Sequence, residues 1–120
     1  MKLYNILNKL ILENNARQEV INAINNRNLV NIHYDGDDDN HSGQRTIEVY
    51  NFGISKGGNL VIRAYQVSGD TNSFQPSWKM FRLDRITRWE PSNLKFNTPR
   101  PNYNKIGDNS MMTVYNTVKF

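Results

Sequence analysis

Leu60-Val61-Ile62-Arg63-Ala64-Tyr65-Gln66-Val67 has the clearest two-residue period in the chain. Side chains alternate across a strand, so Leu60, Ile62, Ala64 and Gln66 share one face. Val61, Arg63, Tyr65 and Val67 share the other. Just before it, Lys56-Gly57-Gly58-Asn59 supplies glycines that accept positive φ, the signature of a hairpin turn. That turn ties the segment back to Arg45-Thr46-Ile47-Glu48-Val49-Tyr50, which Phe52 and Ile54 extend. Further upstream, Val30, Ile32 and Tyr34 alternate with polar residues. Downstream, Trp78-Lys79-Met80-Phe81-Arg82-Leu83 and a short run through Ile86 and Trp89 complete the set. Short strands joined in sequence by turns predict a small antiparallel sheet curled into a barrel.

The flanks read differently. Leu3, Ile6, Leu7, Leu10 and Ile11 recur at three- and four-residue steps, the period of a helix. Asn14 or Asn15 is placed to cap a second helix over about 16–27, with Val20, Ile21, Ala23 and Ile24 inward. Beyond Pro91 the chain is rich in Pro and Asn, and it reads as an extended arm with a final strand near 112–120. Phe96, Tyr103, Val114, Tyr115 and Phe120 are its docking residues, either on this barrel or on the open edge of another copy. The fold class expected is thus α+β and mainly β: N-terminal helices, a small antiparallel barrel closing by residue 90, and a C-terminal arm over 91–120.

Composition narrows the chemistry. The 120 residues suffice for one core. No apolar run approaches the 18 or so residues that cross a bilayer, and the N-terminus lacks the form of a secretory signal. Zero cysteines exclude disulfides, thiolate zinc sites and cysteine nucleophiles, which fits a cytoplasmic protein. Fifteen Lys and Arg stand against eleven acids, and four of those acids, Asp35, Asp37, Asp38 and Asp39, fall in one loop. The rest of the chain is therefore strongly basic, which attracts polyanions.

That acidic loop fails as a calcium site. Asn40 stands where the EF-hand template needs Gly, and Thr46 where it needs a bidentate Glu. His33 and His41 form no triad with a nucleophile and an acid. No catalytic residues, metal ligands or cofactors are expected, and the chain does not read as an enzyme.

Asn31-Ile32-His33-Tyr34, the Arg45–Tyr50 strand, Gly58-Asn59-Leu60-Val61-Ile62-Arg63-Ala64-Tyr65 and Phe81-Arg82-Leu83-Asp84-Arg85-Ile86 follow one another in a recognisable order. The order resembles a WYL domain over roughly residues 17–90, with the FRLDRI phrase its most specific part. The triplet that names the family falls on Leu60-Val61-Ile62 here, and no DNA-reading helix-turn-helix precedes it. The resemblance implies an Sm/SH3-like barrel and a non-catalytic regulatory or accessory factor, of the kind found in bacterial regulators, CRISPR-associated proteins and phages. Small size and Asn bias suit a stand-alone, phage-encoded module.

Basic positions on the family's strands are thought to hold an anionic ligand, and those matching here are Arg45, Arg63, Lys79 and Arg82. Guanidinium groups fork onto phosphate oxygens, while Tyr65 and Trp78 offer faces on which bases stack. The expected partner is single-stranded nucleic acid or a nucleotide-like anion, together with a protein such as a polymerase, nuclease or regulator. Two other roles suit the same residues: a sponge that sequesters a signalling oligonucleotide, and a homo-oligomeric or virion-associated structural part. Alternation places Phe81 and Leu83 inward and Arg82 outward near Arg63, with Lys79 and Arg45 at a pocket mouth. Asp84 and Arg85 are expected to hold the turn.

Overall fold

The computed structural model describes the backbone of residues 2–37, 40–70, 77–104 and 107–120, and side chains from Asn14 onward within those ranges. The side chains of the Leu3–Ile11 stripe, together with Asp38 and Asp39, lie outside the described residues. One helix, α1 (Lys2–Asn26), replaces the two expected. The segment contains neither Gly nor Pro, and the Asn14-Asn15 pair costs a helix interior only roughly half a kcal/mol per residue. Packing of the following turns outweighs that: Val20, Ala23 and Ile24 are buried, and Ile21 packs against the core. The helix stops at Arg27, whose φ of 54° is left-handed. No helix among the described residues is long and apolar enough to cross a membrane.

Among the described residues six strands follow: β1 (Asn28–Tyr34), β2 (Gly43–Ser55), β3 (Leu60–Gly69), β4 (Ser77–Arg82), β5 (Ile86–Lys95) and β6 (Met111–Thr117). All pairings are antiparallel, in the order β4-β3-β2-β1-β5. β3 runs along one edge of the long β2, and β1 and β6 share the opposite edge end to end. The sheet is open: β4 and β5 meet through a single 3-10 turn, Leu83–Arg85, with no ladder between them among the described residues. The expected barrel is thus not closed by strand pairing. Tyr34 links the two ends instead, its hydroxyl accepting the Arg82 N–H at 2.9 Å and donating to the Asp37 carboxylate.

Cross-strand register decides what faces where. Val49, Ala64 and Lys79 stand abreast, as do Phe52, Ile62 and Phe81, all on the side that meets α1 and β1. Val30, Ile32, Tyr34, Ile47, Val49, Phe52, Ile62, Ala64 and Phe81 fill that interior. The other side carries Glu48, Tyr65 and Trp78 abreast, then Asn51, Arg63 and Met80. It is buried in its turn by the C-terminal segment.

β5 runs straight through Pro91, which pairs with Val30, to Lys95. Phe96 then tucks under Tyr50, Tyr103 stacks beside Trp78, and β6 adds to β2. Gly53 permits this last contact. A Cβ there would sit 2.0 Å from the Thr113 carbonyl oxygen, so Gly53→Val should detach β6. The change would be read as faster amide exchange across Met111–Thr117, with the β1–β5 ladder retained.

Candidate ligand-binding site

The structure divides the six candidate residues between the two faces of the sheet. Arg45 and Lys79 belong to the interior face, Arg63, Tyr65 and Trp78 to the opposite face beneath the arm, and Arg82, at the end of β4, points to solvent.

Arg45 is buried, only 2% exposed. It alternates along β2 with Ile47 and Val49, both buried, and its backbone lies against the end of β3, where Gly69 takes a φ of +107° and a Cβ would collide with the Gln44 carbonyl. Its guanidinium lies over the Phe81 ring at 5.2 Å and near Tyr34 at 5.7 Å. It donates to Gln66 Oε1 at 2.9 Å and to the His41 carbonyl, both neutral acceptors. Its Nε is buried without a hydrogen-bond partner. Burial lowers its pKa from the ordinary value, and the charges of Asp70, Tyr34 and Asp37 oppose that shift. Lys79 is half-buried on the neighbouring face position of β4. Burial pulls its pKa down too, and the positive charge of Arg45 adds to the effect. The two cations are thus near enough to repel each other.

Arg63 has a different fate. Its Nε and guanidinium nitrogen grip the Asp108 carboxylate at 2.5 and 3.1 Å, so the arm supplies its counter-charge. Burial on its own would raise the Asp108 pKa. The hydrogen bonds from Arg63 and the Ser110 N–H, with the Arg63 charge, more than reverse this, and the net shift is downward. A carboxyl whose folded pKa is depressed stabilises the fold above its unfolded pKa and loses that contribution as pH falls through the lower folded value. The arm should therefore stay docked at neutral pH and loosen below about pH 4, while Asp108→Asn removes this acid-sensitive step. Amide exchange over Gly107–Thr117 at several pH values checks it.

Tyr65 and Trp78 lie edge to face, ring centres 5.3 Å apart. Arg100 of the arm covers the Tyr65 ring at 5.0 Å, and the Trp78 indole N–H donates to the Pro101 carbonyl at 2.8 Å. Arg82 points outward, forked onto Asp84 at 2.7 and 3.0 Å. Asp84 thus binds a guanidinium at the surface, whereas it was expected to hold turn N–H groups. Arg85 serves the turn through its backbone, its carbonyl accepting the Asp35 N–H at 2.7 Å. Leu83 sits in the 3-10 turn and is half-buried, so Phe81 alone is the deep inward residue of that phrase.

The described residues on either side of Asp38 and Asp39 are tied to each other and to β4. Asp37 accepts the Asn40 N–H at 2.7 Å, and buried Asn40 reaches the Met80 carbonyl at 3.0 Å. No cluster able to hold a metal ion occurs among the described residues.

Several residues of these surroundings escape sequence reading. Glu48 looks like an outward strand residue, yet it is buried and accepts Arg100 at 2.9 Å and the Tyr50 hydroxyl at 2.9 Å. Gln66 was legible as a polar residue on the inward face of its strand. Asp108 and Arg100 carried no local signal.

Residues 15–91, more than half of the chain, match the family model of the WYL domain. No curated protein and no solved structure matches the chain. The matched span holds every strand from β1 to β4, the FRLDRI turn and the cation pair, and the chain belongs to the WYL domain family.

Proposed function

We propose that this chain is a ligand-sensing regulatory module that binds nucleic acid or a nucleotide-like anion beside Arg45 and Lys79. The observation that carries this reading is the like-charge pair. Two cations are drawn together in partial burial, and the buried one is oriented by neutral oxygens of Gln66 and His41. Such an arrangement opposes folding, and a phosphate group bound beside Lys79 offsets the repulsion between the two cations. Lys79 is the more exposed of the two and makes the contact. Arg45 stands behind it as a fixed charge, held between Phe81 and Tyr34.

Arg63 and Arg82 take a lesser part, because Asp108 and Asp84 already neutralise them. Family membership supports a sensing role without chemistry of its own, passed on to a protein partner. Lys79→Ala should weaken binding of a labelled single-stranded oligonucleotide by about 1–3 kcal/mol, the range for one charge-assisted bond. Arg63→Ala should change it far less. Fluorescence anisotropy on both variants decides between the faces, and the reverse order of effects would move the site beneath the arm.

A further inference from the structure

Beneath the C-terminal segment lies a cleft of about 300 Å³, on the sheet face opposite the cation pair. Its floor is Asn51, Arg63 and Trp78, and the arm supplies Asn102, Tyr103 and Asp108 among its walls. The family match stops at residue 91, so the floor of the cleft lies inside the matched span and the walls that the arm supplies lie outside it. Its chemistry is unlike that of the cation pair. The Arg63 charge is met by Asp108 at 2.5 Å, so the cleft has no surplus cation there to draw a phosphate.

What it offers is carboxamides and flat rings. The Trp78 and Tyr103 rings lie nearly parallel, 21° apart with centres at 6.1 Å, and the indole is fixed by its bond to Pro101. Asn51 is 2% exposed, and its Oδ1 is buried without a hydrogen-bond partner. An orphaned buried acceptor costs stability unless something donates to it. The cleft volume suits a small planar heterocycle. Asn recognises adenine by pairing its amide with the ring nitrogen and the exocyclic amine.

We propose that this cleft is a nucleoside site, taking an amino-bearing base whose exocyclic N–H donates to Asn51 and whose ring lies against Trp78 and Tyr103. The site is separate from the cation pair and does not depend on it. Any oligonucleotide ligand would meet the two sites on opposite faces of the sheet, so a base held here is one splayed away from the strand.

Adenosine, cytidine and uridine carry no phosphate, so they test this cleft without engaging the anion site. Each is titrated into the full chain labelled with nitrogen-15, following the Trp78 indole N–H resonance assigned with Trp78→Phe. Adenosine and cytidine should shift that resonance saturably, and uridine should bind roughly tenfold more weakly for want of the amine. Asn51→Ala and, independently, Tyr103→Ala should each cut adenosine affinity by about tenfold. Tyr103 lies on the arm, so that variant remains informative if loss of Asn51 perturbs folding. The proposal fails if no nucleoside shifts Trp78 saturably, if uridine binds as well as adenosine, or if the Tyr103 variant binds like the wild type.

Discussion

Replacing Phe81 with alanine is expected to destabilise the fold by about 4 kcal/mol, much of the 5–15 kcal/mol typical of a domain this size. The ring is fully buried, faces Ile62 across the β3–β4 ladder and meets Tyr34 edge to face with centres 4.8 Å apart. It is also one of the two rings beside the Arg45 guanidinium. Truncation leaves both a cavity and a buried cation stripped of one aromatic neighbour. Leu83→Ala should cost only about 1 kcal/mol, since Leu83 is half-buried and rests in the 3-10 turn. Urea unfolding of the two variants measures the difference. Equal losses would mean that the turn anchors the core as strongly as the strand before it.

The second large effect concerns Arg100. Its fork onto Glu48 closes the arm over the sheet, with nitrogen–oxygen distances of 2.9 to 3.2 Å. The Glu48 side chain is only 3% exposed, whereas the Arg100 side chain is 42% exposed. Arg100→Ala strands a buried charge whose remaining hydrogen-bond donor is the Tyr50 hydroxyl. The expected loss is about 2–3 kcal/mol, below the cost for a wholly buried pair because water can reach the vacated side. Glu48→Gln in the Arg100→Ala background should restore roughly half of it, since the amide needs no counter-charge. Thermal unfolding of the double-mutant set reads the coupling. Simple additivity of the two changes would show that the pair contributes nothing to arm docking.

What could be read from the sequence was what local periodicity encodes. The alternation of Leu60 to Val67 put Ile62, Ala64 and Gln66 on one face, and all three are buried. The Gly57-Gly58 turn and the FRLDRI phrase set the family, and parity along Trp78 to Leu83 put Lys79 and Arg82 on opposite faces. What failed was whatever depends on distant contacts. Asn14-Asn15 looks like a helix boundary, but α1 runs through it because packing of Val20 and Ile24 outweighs a weak local signal. Pro91 looks like a stop, yet β5 continues past it, pairing there with Val30.

The candidate site shows the same division. Its residue types were legible, but nothing near Arg63 or Trp78 in sequence announces that Asp108 and Pro101 will meet them. Ion pairs across 45 or 52 residues leave no periodic trace.

If the Arg45–Lys79 pair binds a polyanion, its affinity must depend on salt. A labelled single-stranded oligonucleotide is titrated into the wild type and Lys79→Ala between about 50 and 200 mM salt. Wild-type affinity should fall linearly on a log–log plot, and the Lys79 variant should bind more weakly with a slope shallower by about 0.7, one released counterion on a single strand. Absence of binding at either salt, or identical slopes for the two proteins, would contradict it.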